Sequence, residues 1–243
     1  MVVEQCLKYG DLSIPYQVYY VPGRQCKVAI HVHPDGSVQV DAPTQASLAE
    51  IKQAVGKRSR WLFAHLDRIK AQHIHVLPRE YVSGESHFYL GRRYLLKVQV
   101  NELDEPSVKL RCGQLQVTTN NVDRETIKSL LWHWYRTHAQ NQFDRRLGIL
   151  CQNLSWLKTP PPWKLLTMKK QWGSCSPRGA LSLNPHLVKA PSECIDYVLL
   201  HELCHLKLHN HSPAFYQHLR KEMPTWESVK GRLDGMAALL LNE

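Results

Sequence analysis

Residues Lys27 to His33 and Ser37 to Val40 alternate apolar and polar side chains, with Pro34-Asp35-Gly36 between them. A strand with one buried face reads this way, and Gly36 supplies the backbone angle that a tight hairpin needs. The period then changes. From about Gln45 to Gln72, residues Ile51, Val55, Trp61, Leu62, His65, Leu66 and Ile69 recur three and four apart, which predicts helix. Strands return over Ser86 to Val100, and a second hairpin spans Val108 to Thr118, turning near Cys112-Gly113. Asp123 to Leu150 predicts a long helix with Ile127, Leu130, Leu131, Trp134, Tyr135 and Leu147 as its apolar positions. Its aromatic residues read as core rather than as a platform for bases. Thr159-Pro160-Pro161-Pro162 breaks any helix and reads as a linker. A strand at Lys164 to Met168, a glycine-containing segment at Gln171 to Ser176 and a short strand at Ala180 to Leu183 follow. No internal repeat is visible. The expected class is α+β, with a β-rich N-terminal part over residues 1–120 and a part over 121–243 that carries the chemistry.

Composition adds bounds. A chain of 243 residues, 43% hydrophobic and 21% charged, can bury a core and is not of disordered type. The N-terminal residues lack the flank and apolar run of a signal peptide. The late apolar stretch Met236 to Leu241 is far short of the ~20 residues that span a membrane. A soluble, cytoplasmic protein with no membrane partner is the expectation. Seven cysteines are scattered without a CxxC pair, which favours reduced thiols over a disulfide scaffold or a cysteine zinc knuckle. The net charge of +10 includes the pairs Lys57-Arg58, Arg92-Arg93, Arg145-Arg146 and Lys169-Lys170. Such charge can attract nucleic acid or nucleotides, but its dispersal reads first as a solvated surface.

The most informative stretch is the helix expected from Ser192 to about Leu208. Ser192 after Pro191 is a candidate N-cap, and Glu193 and Asp196 sit where the helix dipole favours carboxylates. Ile195, Val198, Leu199, Leu203 and Leu206 recur at helical spacing. His201 and His205 lie four apart, so both imidazoles leave one side of the helix a turn apart and can share one ion. Glu202 lies about 100° off that stripe, placed to act as a base on water rather than as a ligand. This is the logic of an HExxH metallopeptidase motif. His209 lies about 12 Å along the axis from His201, too far to share the ion. His211 can fold back if the helix ends near His209 and Asn210 takes a left-handed bend, and it is favoured as third ligand over a carboxylate such as Glu222.

Gln171-Trp172-Gly173-Ser174-Cys175-Ser176, Leu181 to Leu187, Ile195-Asp196-Tyr197-Val198, the run HELCHLKLHNHSPAF and Met223-Pro224-Thr225-Trp226 together resemble the YgjP-like metallopeptidase family. That family groups predicted metal-dependent hydrolases of the zincin class and is similar to the SprT-like and WLM proteases. The strongest resemblance covers about Lys164 to Leu233. The N-terminal strands and Trp132-His133-Trp134-Tyr135-Arg136 agree in general pattern, which extends it over nearly the whole chain. It implies a zincin-like catalytic part, a small sheet plus the HExxH helix, with His201, His205 and His211 as metal ligands and Glu202 as catalytic glutamate. Zinc is the implied cofactor, and other divalent metals can substitute. Leu208 stands where the metzincin pattern HExxHxxGxxH has glycine, so the turn toward His211 must be made differently.

Zincins bind an extended substrate along a sheet edge, and Gln171 to Ser176 or Ala180 to Leu183 is the candidate edge. Trp172 reads either as core or as part of that edge, and Gly173 as a close approach or a bulge. Tyr197 is a candidate oxyanion donor or a packing residue, and Cys175 and Cys204 are small fillers. A metallopeptidase acting on a peptide or protein is the leading reading. One alternative is a metal-dependent phosphohydrolase acting on nucleotides, with Lys169, Lys170 and Arg178 as phosphate partners. Another is a DNA-associated protease related to SprT-like proteins.

Overall fold

The computed structural model describes residues 2–9, 12–22, 28–33, 36–73 and 77–242. They form small sheets and helices in an α+β arrangement. The chain divides into two compact units, Met1–Leu77 and Pro78–Glu243.

In the first unit β1 (Val2–Tyr9), β2 (Leu12–Val21), β3 (Ala29–Val32) and β4 (Val38–Pro43) make one sheet in the order β1-β2-β4-β3. The central pair β2/β4 is parallel and the outer pairs are antiparallel. Period-two burial is clean: Ile14, Tyr16 and Val18 of β2 and Val38, Val40 and Ala42 of β4 all point into the core. The predicted β3/β4 hairpin forms, with Gly36 at φ +78°; Lys27, Pro34 and Asp35 lie outside the described residues. The helix expected from Gln45 to Gln72 is two helices, α1 (Leu48–Gly56) and α2 (Ser59–His73), interrupted at Lys57-Arg58. Ser47 and Glu50 form a reciprocal capping box at the start of α1. Ile51, Val55, Leu62 and Leu66 bring both helices into the sheet's core.

The second unit begins with another four strands, β5 (Ser86–Tyr89), β6 (Arg92–Val100), β7 (Ser107–Arg111) and β8 (Gln114–Thr119). Their order is β5-β6-β8-β7, again with a parallel central pair and antiparallel outer pairs. The topology of the first sheet is therefore repeated, although no repeat is visible in the sequence. In both units a helix cap follows four residues after the last strand residue: Ser47 after Pro43, and Asp123 after Thr119. The second cap opens the predicted long helix, α3 (Arg124–Asn153), and accepts from the N–H groups of Glu125 and Thr126.

Leu96, Leu115 and Val117 of this second sheet share one core with Leu131, Phe143 and Leu147 of α3 and with Leu199 and Leu203 further on. The change of part expected near residue 120 thus falls inside the second unit, and the division lies at Leu77/Pro78. Strand content runs through both units, so composition could not mark the place where one core ends and another begins.

A three-stranded sheet follows, formed by β9 (Trp163–Leu165), β10 (Gly173–Cys175) and β11 (Leu181–Leu183) in the order β10-β11-β9. A short 3-10 helix (Pro185–Lys189), α4 (Ser192–Cys204), α5 (Pro213–Glu222) and α6 (Trp226–Leu241) complete the chain. The β5/β6 turn fastens the segment that enters α4. Leu90 and Gly91 donate their N–H groups to the carbonyls of Val188 and Lys189 at 2.9 and 3.0 Å. Both turn residues have positive φ, and a Cβ on Gly91 would lie 2.8 Å from Pro191 Cα, so the turn approaches the helix start as only glycine allows. No described helix is long and apolar enough to cross a membrane. The six described cysteines are free thiols, and Cys26 lies outside the described residues.

Candidate metal centre

Helix α4 starts one residue earlier than a Ser192 cap would require. Pro191 occupies the N-cap position, Ser192 is the first helical residue, and no side chain caps the end. Arg146 of α3 holds the N-terminal half of α4 through both carboxylate oxygens of Asp196, at 2.6 and 2.7 Å. Ile195, Val198, Leu199 and Leu203 are buried as the periodicity requires.

The helix also ends earlier than its apolar pattern predicts, at Cys204 rather than near Leu208. The N–H groups of His205, Leu206 and Lys207 bond to carbonyls three residues back, tightening the last turn. The reversal is spread over residues 205–210. Asn210 is not among the described non-glycine residues with positive φ, so the left-handed bend expected there is not the device used. Ser212 then caps α5, accepting from Phe215 N–H at 3.4 Å, with Pro213 at its first position. His211 is thereby held just ahead of a new helix and turned back over α4.

The result is a convergence of three imidazoles. His211 Nε2 lies 2.9 Å from His201 Nε2 and 3.2 Å from His205 Nε2. One ring nitrogen from each of the three falls within 4.8 Å of the others. His209 is exposed and outside this group. Glu222 takes the Trp156 indole N–H at 3.1 Å instead. His205 directs its Nδ1 to the Leu208 carbonyl at 3.0 Å, which leaves Nε2 for the centre. His201 Nδ1 is buried with no hydrogen-bond partner among the described residues, so on that side packing orients the ring.

Phe215, fully buried, supplies much of that packing. Its ring lies 4.9, 4.6 and 4.9 Å from those of His201, His205 and His211. Around the other side run Tyr197 against His201 (5.9 Å), Trp226 against Tyr197 (6.5 Å), Tyr216 against Trp226 (5.2 Å) and His211 against Tyr216 (6.1 Å). The rings form a closed circuit through His201 and His211. Tyr197 is therefore a wall of the site. Burial, with Asp234, Tyr216 and Glu202 nearby, raises its phenol pKa, so the hydroxyl keeps its proton.

Glu202 faces the other way. It is buried beneath β10, where a Cβ on Gly173 would lie 2.8 Å from Glu202 Cγ and 2.9 Å from Oε1. This decides between the two readings of Gly173: it is the close approach, required so that the glutamate fits under the strand. Strand β11 is the middle of its sheet and so not an edge; β10 is the edge beside α4. Trp172 O accepts from Asn184 N–H and Ser176 N–H donates to Ala180 O, so the alternate positions Gly173 and Cys175 turn their backbone groups away from β11. Asn184, fully buried, braces the approach to β10 by donating to the carbonyls of Met168 and Gln171 at 2.7 and 3.0 Å. Trp172 is half-buried against the main core, as is Cys175, while Cys204 is buried within it.

Burial pushes the Glu202 carboxyl up to about 8, and no described lysine or arginine pairs with it. Lys169 and Lys170 precede β10 and Arg178 lies in the turn after it, none of them in an ion pair with Glu202 among the described residues. Burial first, then His211 and His205, lowers the His201 pKa to about 3, and burial lowers that of His205. The site thus offers neutral imidazoles and an acid lacking a counter-charge. A cation fits both. Nitrogens at ~2.0–2.1 Å from zinc in a tetrahedron lie about 3.3 Å apart, within a few tenths of an ångström of the two separations made by His211 Nε2.

The contribution of Phe215, Tyr216, Trp226 and Asn184 was missed at the sequence level. Only the run of aromatics shortly after the histidines hinted at the first three.

Among curated proteins none matches this chain. Among solved structures, the crystal structure of the metallopeptidase zymogen of Pyrococcus abyssi abylysin is 24% identical, covering 43% of this chain and 97% of that one, with a TM-score of 0.34. The sequence model described as YgjP-like, metallopeptidase domain, matches residues 26–236, and the chain belongs to that family of metal-dependent hydrolases.

Proposed function

We propose that the protein is a zinc-dependent peptidase of zincin type, in which His201, His205 and His211 hold the ion and Glu202 is the general base. The observation that carries this reading is the convergence of three imidazole nitrogens beside a buried glutamate tucked under an edge strand. Zinc held there would lower the pKa of a coordinated water to about 7 and polarise a scissile carbonyl.

The chain's own residues do the rest. The Gly173 and Cys175 backbone groups accept an extended peptide as an added strand. Glu202 takes the proton of the attacking water on its carboxylate and delivers it to the departing amine. A dication beside Glu202 offsets the burial that otherwise favours its neutral form. Phe215 and Tyr197 hold the ligand rings in place, so little reorganisation is needed on binding.

The test is Glu202→Gln, assayed on a peptide mixture alongside elemental analysis. Turnover should fall by roughly 10²- to 10⁴-fold while bound zinc stays near one per chain. Loss of zinc in that variant would make Glu202 structural, and full activity would assign the base elsewhere. His211→Ala should lose zinc in a chelator competition, whereas His209→Ala should retain it; the reverse result would assign the third ligand to His209.

A further inference from the structure

We propose that the outward face of α2 and the turn before it bind single-stranded nucleic acid, with Trp61 stacking on a base and Lys57, Arg58 and Arg60 contacting phosphates. Of the seven tryptophans, six are buried or half-buried, and Trp61 alone is exposed, at 48%. It stands on the far side of an amphipathic helix whose Leu62 and Leu66 enter the core. With Lys57, Arg58, Arg60 and Ala64 it lines one surface cavity. The His65 ring stacks on the indole at 5.5 Å and 16°, which fixes the ring's orientation.

The electrostatics are one-sided. The first turn of α2 contains no acidic residue, and none of the three cations forms an ion pair among the described residues. The positive end of the helix dipole adds to the same field. Cations at a helix N-terminus oppose its dipole, and an exposed indole has apolar surface in water; among the described residues neither the indole nor the three cations belong to the unit's core.

A polyanion with planar faces satisfies both halves. Phosphates neutralise the cations with release of counterions, and an unpaired base covers the indole. A duplex keeps its base faces stacked inside and offers none to Trp61. A lipid surface would need a wider apolar patch than one indole and Ala64 provide. The inference is independent of the metal centre and of the peptidase reading.

Fluorescence anisotropy of the full chain with a labelled oligothymidylate of about a dozen nucleotides tests it. Wild-type protein should bind. Trp61→Ala should weaken binding roughly tenfold and leave the salt dependence unchanged, while Trp61→Phe keeps most of the affinity. Changing Lys57, Arg58 and Arg60 together to Ala should reduce the slope of log K against log salt by about 2, at ~0.7 per phosphate contact. Circular dichroism checks that these surface variants fold. No binding by the wild type would overturn the proposal. So would a Trp61→Ala variant that binds as well as the parent, or equal affinity for a duplex of the same length. Trp61-dependent binding to phosphatidylserine vesicles with none to the oligonucleotide would assign the surface to membranes instead.

Discussion

The two four-stranded sheets share strand order, strand directions and the position of the cap that opens the next helix, yet among the described residues only the second leads to a candidate metal centre. After β4 the chain makes two short helices that close a small core of their own. After β8 it makes a 30-residue helix whose buried side also carries the second half of the unit, including α4. The chemistry is therefore not a property of the strand framework. It comes from what is packed on α3: a short sheet with an edge, and a helix that ends early enough for the chain to fold back. The β5/β6 turn shows how the framework still helps, since its contact at Pro191 fixes where α4 begins.

That contrast breaks most readily at the metal. A ligand that binds only the native state stabilises it by about 4 kcal/mol when present at a thousand times its Kd. Zinc loading should slow amide exchange in α4 and α5 by roughly a thousandfold at that concentration and leave β1 to β4 unchanged. His201→Ala combined with His205→Ala should remove the difference. Equal responses in both sheets would mean that the units unfold together, and no response in α4 would deny it a metal.

Local signals were legible, and non-local ones were not. The helix start near Asp123 and the turn at Cys112-Gly113 each depend on a few neighbouring residues, and both fall where they were expected; the i, i+4 spacing of His201 and His205 is local in the same way. The end of α4 was misjudged because Leu206 and Leu208 continue the apolar period past Cys204, while the contacts that stop the helix come from a tightened last turn. The unit boundary and the repeated topology depend on which strand pairs with which. Residues such as Val40 and Leu96 look alike in sequence and differ only in the core they enter. Phe215 and Trp226 reach the site from α5 and α6, and no spacing within α4 could announce them.

A smaller perturbation separates the active edge from the metal itself. Gly173 has no positive φ, so Gly173→Ala strains no backbone, but its Cβ would meet Glu202 Cγ at 2.8 Å. The glutamate must shift by something near an ångström, and misplacement of that order costs roughly 10²-fold in rate. Turnover should fall by about that factor with zinc content nearly intact and stability lowered by roughly 1–3 kcal/mol from the added methyl. A fully active Gly173→Ala protein would show that the glutamate's place beneath β10 is not what catalysis requires.

The weakest expected effect is a pH dependence that belongs to the second sheet. His87, in β5, is buried, and burial, with Arg79 and Lys189 nearby, lowers its pKa from 6.5 to about 3. Glu85 Oε2, at 3.9 Å, is too distant for a hydrogen bond and does not offset this. The sign follows from which state binds the proton. Between about pH 6.5 and 3 the unfolded chain protonates this histidine and the folded chain does not, so acid favours unfolding. From pH 7 to pH 5 the loss is roughly 2 kcal/mol for this group alone. His87→Gln removes the titrating ring, so denaturant titrations of the two proteins in the same metal state should show a shallower loss in the variant. The difference should appear in the unfolding of the second unit, because His87 packs beside Tyr81, which belongs to that unit's core. Parallel stability curves for parent and variant between pH 7 and 5 would mean that His87 accepts a proton in the folded state, with Glu85 drawing close enough to hold it.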